Sequence, residues 1–281
     1  MNSDESTRPY PSSESVGDFY DQMGAFFASI FGEDIHFGIW DGDETLSMAE
    51  AQTRLTDHLI DLLGLQAGEY LLDVGCGTGN PARRLAERTG ARVLGVSVSP
   101  SQVESATAKA KATGLGTRLE FVEADAMQLP YADGTFDAAW AIEMLFHVPS
   151  RLQVLREIHR TLKPGGRVVL ADFVERRQVT GAEWNVLREG FAFSSLLRPG
   201  DYAGVVADAG LEVIQVHDVT AETRHNIAWI RSRHEAGKED LARHYGLASA
   251  GQIDRLLTAG MDIYTEKLGY VVVEARRAAT G

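Results

Sequence analysis

The stretch Leu71-Leu72-Asp73-Val74-Gly75-Cys76-Gly77-Thr78-Gly79-Asn80-Pro81 runs from an apolar segment through three alternating glycines into a segment of helical character. It predicts a buried strand, a tight turn and the start of a helix. Glycines at such a turn let the backbone come close to a ligand, because no Cβ stands in the way. The spacing is Gly-x-Gly-x-Gly, not the Gly-x-Gly-x-x-Gly of dinucleotide enzymes, and an acid, Asp73, immediately precedes it. A carboxylate there repels a pyrophosphate but receives the ammonium of a zwitterionic amino-acid tail. The ligand implied is a nucleoside carrying an amino acid. The competing reading is a structural strand-to-helix turn with a capping aspartate.

On either side of this stretch, runs rich in Val, Leu and aromatics recur at 70–74, 92–98, 118–123, 136–142, 167–174, 211–219 and 270–276, and read as seven strands. Helical segments lie between the first five at 81–89, 100–113 and 150–162. The last is closed by Lys163-Pro164-Gly165-Gly166, a helix stop followed by a turn. This alternation implies right-handed crossovers and a parallel sheet covered on both faces, a doubly wound α/β fold. The expected organisation is a polar, disordered tail at 1–14, an N-terminal helical lid at 15–64, a ligand-binding core at 65–176, and the rest of the core at 177–281 with lid helices at 177–201 and 221–262. In the second N-terminal helix Leu55, Leu59, Leu62 and Leu63 share one face and predict packing onto the body. Trp184, Phe191, Phe193, Tyr202, Trp229 and Tyr245 either roof an apolar cavity or simply pack the lid.

The bulk composition narrows the partners. With 281 residues, 44% hydrophobic, there is material for one large α/β domain with a lid. A net charge of -13 argues against nucleic acid or anionic membranes as partners. One cysteine excludes a disulfide framework and a cysteine-built zinc site, and fits a reducing cytoplasm. The N-terminal residues lack the apolar centre of a secretory signal, and no run approaches the roughly 20 apolar residues that span a bilayer.

The glycine loop, Glu123-Ala124-Asp125-Ala126 and Leu162-Lys163-Pro164-Gly165-Gly166 together resemble three motifs of the class I methyltransferase family, in the right order, over roughly residues 15 to 276. The segment Gly32-Glu33-Asp34-Ile35-His36-Phe37-Gly38-Ile39-Trp40 is similar to one in its natural-product subgroup, the rebeccamycin sugar O-methyltransferase type. The resemblance implies a Rossmann-like seven-stranded sheet with N-terminal helices and lid insertions, and S-adenosyl-L-methionine as cofactor. It implies that Gly75, Gly77 and Gly79 line the methionine part, that Asp73 holds its amine, and that Asp125 and the backbone of Ala126 meet the adenine. Most relatives carry an acid at the end of the second strand for the ribose hydroxyls. Here Gly95-Val96-Ser97-Val98-Ser99 offers only hydroxyls, so the ribose falls to Ser97 and Gln102. Cys76 reads as a small buried filler in the loop.

Because such a donor arrives with its methyl group activated, the protein's task is alignment and exclusion of water, with a base only where the acceptor must lose a proton. His147 follows the fourth strand and suits that role, its ordinary pKa of ~6.5 leaving a neutral fraction near pH 7. Asp172, at the end of the fifth strand, is expected nearby to orient or charge-stabilise it, as a comparable pair does in the resembled sugar enzymes; a strand-end cap is the other reading. Those relatives often show two adjacent histidines, and here Phe146 stands in place of the first. Tyr20 from the N-terminal lid can place a hydroxyl over the acceptor, and His36 reads as a hydrogen-bond partner in the turn before Trp40. No metal is expected. The acceptor is expected to be a small, largely apolar molecule, methylated on oxygen before carbon before nitrogen. A cyclase that keeps the donor as a structural ligand and a cofactor-sensing binding module remain the other classes. Lids that meet across dimers in similar proteins allow a homodimer.

Overall fold

The computed structural model describes residues 12–279. The expected tail lies outside the described residues as far as residue 11, and its end differs from expectation, because helix α1 (Ser13–Phe31) starts within it. The cause is a cap: the Ser12 hydroxyl accepts the Ser15 backbone N–H, satisfying a donor the first turn leaves unpaired. Helix α2 (Met48–Leu63) is bounded by a Ser47–Glu50 capping box and by Gly64 in the left-handed region. Its Leu55, Leu59 and Leu63 are fully buried, whereas Leu62 is only partly covered.

The core follows as β1 (Tyr70–Val74), α3 (Asn80–Thr89), β2 (Arg92–Ser97), α4 (Pro100–Ala112), β3 (Leu119–Glu123), β4 (Phe136–Ile142), α5 (Arg151–Thr161) and β5 (Leu162–Glu175). After it come α6 (Gly181–Phe191), α7 (Tyr202–Asp208), β6 (Leu211–Asp218), α8 (Thr220–Thr223), α9 (His225–Tyr245), α10 (Leu247–Lys267) and β7 (Leu268–Arg277). The strands form one sheet in the order β3-β2-β1-β4-β5-β7-β6. β1 to β5 pair in parallel, and β7 enters antiparallel between β5 and β6. Successive side chains point to opposite faces, so Leu71, Val93, Trp140 and Phe173 feed one core and Leu72, Leu94, Leu170 and Val174 the other.

Two boundaries depart from the sequence reading. β5 begins at Leu162, not 167, because Leu162 pairs with Phe136 before a register shift in that ladder. Helix α10 continues past 262 to Lys267 and passes directly into β7. No helix among the described residues is long and apolar enough to cross a membrane.

The strand order reverses between β1 and β4, so their carboxyl ends open a crevice. The loops after these strands meet there: a Cβ on Gly75 would stand 2.7 Å from Met144 Cβ. Side chains of α1, α6, α9 and α10 cover this end of the sheet.

Candidate active site

The crevice holds a cleft of about 1040 Å³. Asp73, Gly75 and Gly77 line it from the β1 loop, Ser97 and Gln102 from β2 and α4, and Asp125 with Ala126 from the segment after β3. The glycines divide their work. Gly75, at φ +79°, must lack a Cβ for the Met144 side chain to close on it, whereas Gly79 caps α3 at φ +79° and makes room for the Phe121 ring, 2.7 Å from where its Cβ would be. Gly79 is packed against Phe121 and Ala106 and is not among the residues that line the cleft.

Asp73 is 3% exposed and its Oδ2 has no hydrogen-bond partner. Burial pushes its carboxyl up to about 7, with the neighbouring Trp140 indole pulling the other way. A buried carboxylate oxygen left unpaired is uncommon and costly, and it fits the ammonium of an incoming ligand. Ser97 Oγ donates to Gln102 Oε1 at 2.9 Å, and accepts the Ser99 backbone N–H at 3.2 Å. Asp125 Oδ1 accepts the Met127 N–H at 2.8 Å, which fixes the turn after β3. An acid absent from the sequence reading joins them: Asp21 of α1 accepts the hydroxyls of Ser99 and Ser101, holding α1 down on the rim. Its carboxyl is lowered by those hydrogen bonds.

Behind the cleft lies a second cavity of about 720 Å³, walled by aromatic rings such as Phe19, Phe27, Phe37, Phe173 and Phe193. Of the six aromatics singled out in the sequence, Phe191 and Phe193 line it; Trp184, Tyr202, Trp229 and Tyr245 do not. Four residues line both cavities: Tyr20, Ile35, Glu143 and His147. His147 ends the 3-10 turn Leu145–His147, and its Nε2 lies 2.8 Å from the Tyr20 hydroxyl. Its Nδ1 lies 3.0 Å from the Ala192 carbonyl, which can only accept. The proton is therefore on Nδ1, and Nε2 accepts from Tyr20. Burial lowers the His147 pKa to about 4, with the Arg151 charge acting in the same direction. Burial likewise raises the Tyr20 phenol, with Glu143 adding to it.

Glu143 is the residue the sequence reading passed over. It sits at φ +49° just after β4, and its Oε1 accepts the Phe37 backbone N–H and the Tyr270 hydroxyl, each at 2.7 Å. Burial pushes it up to about 8. The available signal was a lone acid in Ala141-Ile142-Glu143-Met144-Leu145-Phe146, an otherwise apolar run.

Asp172 corrects an expectation. On β5 it shares a sheet face with Leu170 and Val174, opposite Phe173, and it lines neither cavity. It accepts the Tyr202 hydroxyl, its Oδ1 takes the Phe173 N–H at 2.9 Å, and Arg151 Nε stands 3.5 Å away. Arg151 in turn donates to the Ser195 carbonyl at 2.8 Å, so this buried cluster ties down the loop that carries Ala192. The carbonyl of that loop, not the carboxylate, aims His147. His36 bonds the Phe37 carbonyl through Nδ1 at 2.7 Å and also lines the larger cleft. Cys76 is buried with its thiol pushed well up, which disfavours the reactive thiolate. Among the described residues no three His, Cys, Asp or Glu side chains converge as a metal site.

Residues 72–170 match the methyltransferase domain family. The methyltransferase GfsG of Streptomyces halstedii is 42% identical over 75% of this chain and 78% of its own. The 27-O-demethylrifamycin SV methyltransferase of Amycolatopsis mediterranei (strain S699) is 38% identical over 96% of this chain and 99% of its own. Among solved structures, the [4+2]-cyclase SpnF superposes with a TM-score of 0.86 at 34% identity, covering 97% of this chain and 99% of that one.

Proposed function

The chain belongs to the S-adenosylmethionine-dependent methyltransferase family, and from that premise we propose that it methylates a hydroxyl oxygen of a small, neutral, largely apolar natural product. The observation that carries this reading is the junction: a polar cleft and an aromatic cavity meet at Tyr20, Ile35, Glu143 and His147. The replacement of one of two adjacent histidines by Phe146 favours an apolar acceptor over a sugar.

The cleft's donor set fits the cofactor. The unpaired Asp73 oxygen takes the ammonium, Ser97 and Gln102 face the ribose, and Asp125 with the Ala126 backbone meets the adenine. When bound, S-adenosylmethionine supplies an activated methyl group that requires an acceptor lone pair in line with it. The aromatic cavity orients the acceptor and keeps water out, and alignment of this kind is worth up to ~7–11 kcal/mol. As the acceptor oxygen gains its methyl group, its proton becomes strongly acidic, so even a histidine lowered to about 4 suffices to take it. The proton passes to the Tyr20 oxygen while the Tyr20 proton moves to His147 Nε2, along the hydrogen bond already present. The Ala192 carbonyl keeps Nδ1 as the donor throughout.

The test is incubation with S-adenosylmethionine and a panel of neutral polyketide and terpenoid alcohols, reading methylated product and S-adenosylhomocysteine together. One for one formation is expected. The likeness to a [4+2]-cyclase keeps a second reading, in which the cofactor is retained while the aromatic cavity folds a polyene. Product isomeric with its substrate, with no S-adenosylhomocysteine released, would establish that reading instead.

A further inference from the structure

By the proposed assignment Asp73 would hold the amino-acid end of the cofactor and Asp125 the adenine end, so the reacting sulfur falls between them, in the cleft that opens onto the aromatic cavity. That opening is the four-residue junction, and Glu143 is its one carboxyl group. The side chain is anchored: Oε1 receives the Phe37 N–H and the Tyr270 hydroxyl, and among the described residues Glu143 makes no ion pair. The titratable groups around it are Tyr20 on α1, Tyr264 on α10, Tyr270 on β7 and Asp172 on β5, with His36, His147, Asp34, Asp73, Cys76 and Asp125 lining the same cleft. None of these is a fixed cation. A carboxyl group held in place without a counter-charge is a site for a ligand's positive charge.

We propose that Glu143 is the residue by which this site tells the methyl donor from its spent form: the carboxylate opposes the sulfonium of S-adenosylmethionine and meets only a neutral thioether in S-adenosylhomocysteine. The inference rests on the assignment of the larger cleft to that cofactor. Asp73 serves the ammonium, which both ligands carry, so it contributes equally to both. Glu143 serves the charge that only one of them has. Its burial holds it protonated near neutral pH in the free protein, and the sulfonium draws its proton off. Donor binding therefore releases a proton that product binding does not. Once the methyl group has left, the carboxylate again lacks a partner, which speeds exchange of product for fresh donor.

The experiment is calorimetric titration of the full chain with each ligand across neutral to alkaline pH, in buffers of different ionisation enthalpy, on wild type and Glu143→Gln. Glutamine keeps an oxygen for Phe37 and Tyr270, and the ligands' own amino groups titrate alike in both proteins and cancel. Wild type is expected to release roughly 0.4–0.9 proton more with S-adenosylmethionine than with S-adenosylhomocysteine at pH 7, for a Glu143 pKa lowered from about 8 by about 1–3 units. Its preference for the donor should exceed that of the variant by at least about tenfold above pH 8, since an opposite charge nearby is worth about 1–3 pKa units. Equal proton counts for the two ligands in wild type overturn the proposal even if the variant fails to fold. Failure of either ligand to bind wild type strikes instead at the cofactor assignment on which it rests.

Discussion

The Tyr20 hydroxyl and His147 Nε2 stand 2.8 Å apart where the two cavities meet, one from the first helix and one from the loop after β4. Their rings pack edge to face, 5.4 Å between centroids, so the contact fixes orientation as well as distance. In the proposed mechanism the α1 lid therefore contributes a partner to the base and does not merely cover it, and removing either residue would interrupt the same proton path.

That shared path makes the two side chains non-additive. His147→Ala is expected to lower kcat by roughly 10²–10⁴-fold with cofactor affinity unchanged. Tyr20→Phe keeps the packing and lowers kcat by a smaller factor. The double variant should be no slower than His147→Ala alone, because groups that act as a unit lose their effect together. Multiplied losses in a double-mutant cycle would show that the two act separately.

Asp73 offers a sharper test of the cofactor cleft. Its unpaired, buried oxygen makes Asp73→Asn expected to weaken cofactor binding by roughly 2–5 kcal/mol, the usual loss when one partner of a buried charge pair is removed. The free variant should melt no lower than wild type above pH 7, since the asparagine cannot ionise. Unchanged affinity by calorimetry would return the loop to a purely structural turn.

The glycine loop was legible because strand, turn and helix are local and each residue's type follows from backbone need. The seven strands were legible for the same reason, by alternation and run length. The antiparallel entry of β7 was not, because nothing in its apolar run encodes direction. Pairings across long separations were the weakest part. Asp172 lies at the right strand end but one residue out of phase with the cavity, and a period of two sends it to the other face. Glu143 offered only the signal of a lone acid in an apolar run, because its partners, Phe37 and Tyr270, come from opposite ends of the chain.

Asp172 should now behave as a structural group. It is 1% exposed and holds Tyr202 and Arg151, so Asp172→Asn leaves Arg151 without its counter-charge and is expected to cost roughly 3–5 kcal/mol of stability. At a temperature where the variant remains folded, kcat should stay within a few-fold of wild type. Thermal melting and kcat measured side by side decide the matter: a large fall in kcat without loss of stability would restore Asp172 to the chemistry.

Three shifted groups of the site contribute to the pH dependence of the free protein, and they pull in opposite directions. Glu143 has a folded pKa of about 8 against an ordinary 4.5, so the folded state binds its proton more tightly. Its contribution is fully present below about 4.5 and is lost as pH rises toward 8. Asp73 follows the same sense, with its loss complete near 7. His147 is lowered from 6.5 to about 4, so its contribution is present above 6.5 and is lost as pH falls toward 4. Of these three groups only the two carboxyl groups act above pH 6.5, and their contribution falls up to pH 8. Glu143→Gln removes the larger of these losses. Relative to wild type, its melting temperature should gain steadily between pH 5 and 8 and then level off several degrees ahead, since about 1 kcal/mol moves the melting point of a chain this size by a few degrees. Saturating S-adenosylmethionine should erase much of that difference, because the bound cation supplies the ionised carboxylate with the partner it lacks. Parallel melting curves for wild type and Glu143→Gln across this range would mean that Glu143 is already solvated or paired in the free protein.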